Sequence, residues 1–302
     1  MASVLKEVPT LSLVDYFNET TRKTFIQRFF LGLTEYGFVT IRHHKISHEL
    51  LAEAYRLSQD FFALSEAVKN QYFIPGHGGA RGYTPFGKEH AKDAPAPDLK
   101  EFWHVGRFEN IWPKEIQHFR LTFETLFKEL DDLGRVLLSA LTGPLQIPEN
   151  YFDHMTNRGN SILRLLHYPP IAAGVDPRCV RAAAHEDINL ITLLVSASTT
   201  GLELKLRSGE WLSIPSEPMD IIVDSGDMLS RLTNDVIPST THRVVNPVGP
   251  NVSRYSMPFF MHPNSDAILS CLDSCRGEGA KYPDILSDDF LQQRLREIGL
   301  KN

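Results

Sequence analysis

At Gly159 the chain changes texture, and that change limits the folds open to it. Downstream, short runs rich in β-branched and aromatic residues follow one another at 162–168, 190–195, 202–206, 211–214, 221–224, 243–246 and 255–261. Turns bearing Gly and Pro divide them. Leu202-Glu203-Leu204-Lys205-Leu206 alternates strictly, as a half-buried strand does. Short strands at regular spacing bury their apolar faces by closing into a sandwich or jelly roll. The expected class is therefore mainly β with flanking helices.

Upstream of Gly159 the apolar period is helical. Phe25, Ile26, Phe29, Phe30 and Leu33 recur at three- and four-residue steps until Gly37 stops the pattern. Residues 38–41 read as a short strand. Ser47 caps a second helix with Leu50, Leu51, Ala54, Leu57 and Phe61 on one face. A third helix is expected over 115–142, ended by Gly143-Pro144. A last one runs from Ser287 to about Leu300 and bears Phe290, Leu291, Leu295 and Ile298. Residues 75–98, rich in Gly and Pro and including Ala-Pro-Ala-Pro, read as a flap on a pocket rim. There is no internal repeat and no low-complexity linker. We expect a helix-rich region over 1–150, integral to the fold, and a β core with a C-terminal helix over 151–302.

A net charge of -6 offers nothing to a nucleic-acid backbone or an anionic membrane. The most apolar run, 188–197, is about half the roughly twenty residues a membrane helix needs. Cys179, Cys271 and Cys275 are the cysteines. An odd, small number without an export signal points to a reducing, cytoplasmic setting. Cys271 and Cys275 have no second pair to complete a zinc site and read as ordinary thiols. The expected partner is a small molecule, and the expected state a monomer or weak homo-oligomer.

The chemistry concentrates in three places. His185-Glu186-Asp187 puts an imidazole and a carboxylate on one side of an extended chain, because side chains repeat every second residue. His242, from a distant run, completes two imidazoles and one carboxylate, a set that binds Fe(II) and leaves positions open. A hydrolytic zinc site would use similar ligands. Arg254-Tyr255-Ser256 then places a guanidinium and a hydroxyl on one face of a strand, a clamp for a ligand carboxylate. Buried, Arg254 needs an anion, and a core acid such as Asp224 or Asp227 could supply it instead. A zinc hydrolase leaves the Arg254 and Ser256 pair unexplained.

With these residues in this order, the chain resembles the isopenicillin N synthase-like branch of the iron- and 2-oxoglutarate-dependent oxygenases. Further matching pieces are Gly37-Phe38-Val39, Arg81-Gly82-Tyr83, Leu99-Lys100-Glu101-Phe102-Trp103, His167-Tyr168-Pro169-Pro170, Gly226-Asp227-Met228-Leu229 and Ser239-Thr240-Thr241-His242. The likeness covers almost the whole length. It implies a double-stranded β-helix (jelly-roll) core behind an N-terminal helical region. It implies Fe(II) on His185, Asp187 and His242, and the distal carboxylate of 2-oxoglutarate on Arg254 and Ser256, with Tyr168 adding a hydroxyl. The implied reaction consumes O2, oxidises (most simply hydroxylates) a small molecule, and releases succinate and CO2. One departure is Leu166, where many relatives place Asn.

Candidate pocket residues are Arg81, Tyr83, Phe86, Phe102, His104, Arg164, Leu166, Arg231, Phe260 and His262. An arginine among Arg81, Arg164 and Arg231 that faced the metal would make an acidic substrate the natural choice. Two alternatives stand beside this reading. One is an iron oxidase of the isopenicillin N synthase or ethylene-forming type that does not use 2-oxoglutarate. The other is a jelly-roll metal-binding protein without oxygenase activity.

Overall fold

The computed structural model describes residues 7–76, 79–88, 98–176, 179–215 and 217–297. The central part of the expected flap, with its Ala-Pro-Ala-Pro, and Ile298 of the last helix lie outside the described residues.

Two sheets face each other. The larger has eight strands, in the order Thr10–Ser12, Phe38–Arg42, Ile221–Ser225, Ile191–Val195, Arg254–Met261, Ile162–Tyr168, Glu101–Gly106 and Gly82–Thr84. The smaller has four: Ala182–His185, His242–Val244, Leu202–Lys205 and Trp211–Ser213. Chain segments cross repeatedly between the sheets, which gives the double-stranded β-helix its closure. Strands from the first half of the chain form both edges of the large sheet, so the helix-rich region is woven into the core.

Strand alternation sorts side chains between two layers. Outward from the large sheet point Trp103, Val105, Leu163, Leu165 and Phe259, and the long helices cover them. Phe61 of the helix His48–Phe62 meets Trp103 with ring centroids 4.8 Å apart. Phe127 of the helix Phe119–Thr142 meets Phe259 at 5.1 Å. Each such side chain contributes about 1.5–3 kcal/mol by leaving water. Inward point Phe102, Leu166 and Tyr168, which pack with Leu202, Leu204 and Val244 of the small sheet. Polar residues of the candidate site occupy the same space between the sheets.

Most expected elements form close to their expected bounds. Ser47 caps its helix, accepting from the Leu50 amide at 3.1 Å. Gly37 ends the helix Arg22–Tyr36 with φ of 68°, and a Cβ there would stand 2.2 Å from Thr240 Oγ1. The third helix starts at Phe119, four residues later than expected, after His118 at a φ of 63°. Two strands depart from the expected pattern. Glu101–Gly106 is buried on both faces, so it lacks the alternation that marks a half-buried strand. Gly82–Thr84, inside the segment read as a flap, pairs with it in antiparallel register.

Candidate active site

His185 closes the strand Ala182–His185 and His242 opens the strand His242–Val244, and the two are direct antiparallel partners. Their ring centroids are 4.4 Å apart. Each ring turns its Nδ1 to a carbonyl two residues earlier, His185 to Ala183 at 2.8 Å and His242 to Thr240 at 3.1 Å. A proton held on Nδ1 by that bond leaves the Nε2 lone pair free to ligate.

Asp187 follows in the turn that carries the chain towards the large sheet. Its Oδ1 lies 3.7 Å from His185 Nε2 and 3.8 Å from His242 Nε2. One donor atom from each residue falls within 4.8 Å of the others, the only such group of three among the described residues. These separations exceed hydrogen-bond length and suit an ion with bonds of about 2 Å. The other carboxylate oxygen accepts from Thr192 Oγ1. Burial, aided by His242, pushes the His185 imidazole towards its neutral form. For Asp187, burial raises the pKa, but His242, His185, Thr192 and Arg164 outweigh it and hold the carboxyl below its ordinary value. Neutral imidazoles and an ionised carboxylate are the protonation states that ligate.

The backbone behind Asp187 is held by Gly226 and the residues after it. Asp227 donates its amide to the Asp187 carbonyl at 2.7 Å, and Gly226 donates to Leu190 at 3.0 Å. A Cβ on Gly226 would sit 2.3 Å from the Asn189 carbonyl oxygen and 2.8 Å from that of Asp187. The glycine is there because two backbones approach too closely for any side chain.

Arg254 begins the central strand opposite Tyr168, with Ser256 opposite Leu166. As a residue it is 2 % exposed. Its guanidinium lies 5.1 Å from the Tyr168 ring centroid and reaches Ser256 Oγ at 3.2 Å. Among the described residues no carboxylate comes within ion-pair distance of it. Asp227 pairs with Arg294 at 3.0 Å instead, and Asp224 lies beside Thr192 and Asp187. Arg181 adds a second buried guanidinium, donating to the Val252 carbonyl at 2.6 Å while its Nε has no partner. Burial first, and then Arg254, lower the pKa of Arg181. So much buried positive charge calls for an anionic ligand.

Residues 159–263 match the family described as the 2OG-Fe(II) oxygenase superfamily. Residues 8–120 match the non-haem dioxygenase in morphine synthesis N-terminal family. The 2-oxoglutarate-Fe(II) type oxidoreductase hxnY of Emericella nidulans is 32 % identical over 279 residues, 85 % of this chain and 79 % of that one. The chain belongs to the 2-oxoglutarate-Fe(II) oxygenases. Proline hydroxylase buaE of Petromyces alliaceus is 31 % identical over 96 % of this chain and 98 % of its own. Among solved structures, a 2OG-Fe(II) oxygenase family protein of Caulobacter crescentus superposes with a TM-score of 0.86 at 41 % identity, covering 96 % of this chain and 98 % of that one. A full-length Neurospora crassa protein, solved in complex with alpha-KG, gives 0.88 at 29 % identity, over 95 % of each chain.

The oxygenase is thus an enzyme that uses Fe(II), 2-oxoglutarate and O2, on a double-stranded β-helix core. Its own residues fit both groups: two imidazoles with Nδ1 tied back beside one carboxylate, and a buried arginine with no carboxylate at ion-pair distance among the described residues. No helix among the described residues is long and apolar enough to cross a membrane. The three cysteines are free thiols, so Cys271 and Cys275 form no bridge.

The candidate pocket residues of the oxygenase separate into two groups. Arg164, Leu166 and Phe260 line the cavity that also holds the three grouped donors, Arg254 and Ser256. Phe102 lies under Arg164, its ring centroid 4.3 Å from the guanidinium carbon. His104 accepts from Arg164 Nε at 2.6 Å. His262 is buried and turns Nδ1 to the Phe260 carbonyl at 3.3 Å.

The remaining candidates are directed elsewhere. Tyr83 points outward from the sheet, where its hydroxyl donates to Glu101. Arg81 lies along Gly106 and donates to the Phe108 carbonyl at 2.8 Å. Arg231 donates to the Pro283 carbonyl between Tyr282 and Phe290. Phe86 is exposed.

Three residues near the site escaped the sequence reading. Thr192 is hidden in an apolar strand, Arg181 precedes an alanine run, and Lys100 pairs with Asp98 at 2.8 Å beside the pocket. Asp98 also accepts from the Ala183 amide at 3.0 Å, so this pair ties the large sheet to the His185 strand.

Proposed function

We propose that His185, Asp187 and His242 hold Fe(II), that Arg254, Ser256 and Tyr168 hold the distal carboxylate of 2-oxoglutarate, and that the enzyme hydroxylates a small molecule. The observation that carries this reading is the pairing of His185 with His242 across the small sheet, each Nδ1 already engaged, with Asp187 Oδ1 almost equidistant from both Nε2 atoms. Bound there, Fe(II) supplies open positions at which oxygen and the keto acid react together.

The chain's own residues position and shield. Thr192 orients Asp187 by donating to its second oxygen. Arg254 takes the charge of the co-substrate's tail in a site from which water is excluded, which strengthens that ion pair. Leu166, Leu194 and Val244 contribute an apolar part of the surrounding wall. An apolar wall near a strong oxidant offers it few polar groups and keeps solvent out. For setting, we propose the cytoplasm, in keeping with three free thiols.

The test is stoichiometry. With substrate, succinate should form in step with oxygen consumed, and Arg254→Ala should raise the 2-oxoglutarate concentration needed. Product formed with oxygen consumed but no succinate would replace this reading with that of an oxidase. Leu166, which presents no polar group opposite Ser256, leaves room for that outcome.

A further inference from the structure

The C-terminal helix reaches the turn that carries Asp187 through one ion pair. Arg294 of the helix Ser287–Glu297 places its Nε 3.0 Å from Asp227 Oδ2. The two side chains are 17 % and 16 % exposed, so solvent and salt screen the pair weakly. Asp227 is the first residue of the helix Asp227–Leu232, and its amide donates to the Asp187 carbonyl at 2.7 Å. The next amide, of Met228, reaches the carbonyls of Ile188 at 3.2 Å and Asn189 at 3.1 Å. The segment 187–189 therefore rests on the first turn of this short helix.

The body of that helix is anchored in the core by Met228, Leu229 and Leu232, all buried. The C-terminal helix also meets it there, with Ser287 Oγ 3.8 Å from Met228 Sδ and Phe290 5.5 Å from the Arg231 guanidinium carbon. Asp227 stands at the exposed end of this arrangement, and helix ends fray where nothing holds them. Its ion-pair partner among the described residues is Arg294, from the far end of the sequence. Removing that guanidinium leaves a half-buried carboxylate unpaired, which draws the first turn towards water.

We infer that Arg294 and Asp227 are positioning residues for the metal, their ion pair fixing the turn on which Asp187 stands. This inference rests on the reading that His185, Asp187 and His242 hold Fe(II). Arg294 acts through Asp227, and Asp227 acts through its main chain. The C-terminal helix thereby belongs to the metal site, although none of its residues lines the pocket.

The test is the iron dissociation constant of the full-length protein, measured anaerobically against a chromophoric chelator. The melting temperature of each variant is recorded beside it. Arg294→Met should weaken iron binding about three- to tenfold, less than the roughly 10- to 100-fold expected for a direct partner of a ligand. Arg294→Lys, which keeps the charge, should recover part of the loss. Adding Asp227→Asn to Arg294→Met should restore some affinity, since no carboxylate is then left unpaired. Arg107→Met is the control, because it breaks a pair of 2.6 Å with Asp131 of the long helix Phe119–Thr142. It should lower the melting temperature and leave iron affinity unchanged. Wild-type affinity in folded Arg294→Met, losses that multiply in the double variant, or an equal loss in Arg107→Met would each overturn the inference. Wild-type protein that took up no iron would overturn the iron reading itself, so the two failures are distinct.

Discussion

His185 and His242 face each other across the small sheet, 4.4 Å between ring centroids, and each gives its Nδ1 to the carbonyl two residues before it. The same local bond, made twice on paired strands, aims two Nε2 atoms at one point. Asp187 meets them there from the turn that leaves the sheet.

Asp187→Ala should abolish tight iron binding while leaving the fold intact, as circular dichroism and metal analysis after desalting would show. Thr192→Val keeps the ligand but removes the hydroxyl that orients it. Loss of such an orienting partner typically weakens metal affinity about 10- to 100-fold. Unchanged iron affinity in Thr192→Val would mean that Asp187 is held by its backbone alone.

Gly226→Ala should act on the metal through the backbone. Its Cβ would be 2.3 Å from the Asn189 carbonyl oxygen, so the segment 187–189 must move. We expect weaker iron binding together with a lower melting temperature, because the contact is with main chain and has no flexible side chain to yield.

Arg254→Ala should raise the apparent KM for 2-oxoglutarate strongly, since a carboxylate in a dry site loses a partner worth about 2–5 kcal/mol. Iron affinity without co-substrate should stay near that of the wild type. Arg254→Lys should recover part of the loss, as a point charge replaces a fork.

On the far face of the large sheet, Glu101 accepts from Lys69 at 2.7 Å, from the Tyr83 hydroxyl and, at 2.7 Å, from His167 Nδ1. Burial raises its pKa, but His167, Lys69 and Tyr83 together hold it below the ordinary carboxyl value. A carboxyl depressed in the folded state adds stability above its unfolded pKa and loses it as pH falls through the folded one. Glu101→Gln should therefore flatten the fall in melting temperature between about pH 5 and the acid limit. Lys69→Met, which leaves the carboxylate without its cation, should cost about 3–5 kcal/mol.

Much of this was legible in the sequence, for physical reasons. His185 and Asp187, like Arg254 and Ser256, stand two residues apart as strand alternation asks, whereas the grouping of the first pair with the distant His242 was legible through the resemblance to the oxygenase family. A sandwich or jelly-roll core was legible from short runs rich in β-branched and aromatic residues divided by Gly and Pro. Glu101–Gly106 was not: it is buried along its whole length like Ile221–Ser225, but its Glu-Phe-Trp-His-Val-Gly run lacks the Ile-Ile-Val content that marked the latter. The directions of the arginines were equally hidden. Arg81, Arg164 and Arg231 look alike in a sequence, and only the register of Ile162–Tyr168 turns Arg164 into the pocket. Gly226 was visible as a motif residue, but its close approach to Asp187 arises between segments about forty residues apart.

The most direct measurement is the anaerobic visible spectrum of metal-free protein given Fe(II) and then 2-oxoglutarate. A weak charge-transfer band should form only when both are present, vanish in Asp187→Ala, and need far more 2-oxoglutarate in Arg254→Ala. Iron bound without any band, or a band unaltered in both variants, would contradict the assignment of these residues.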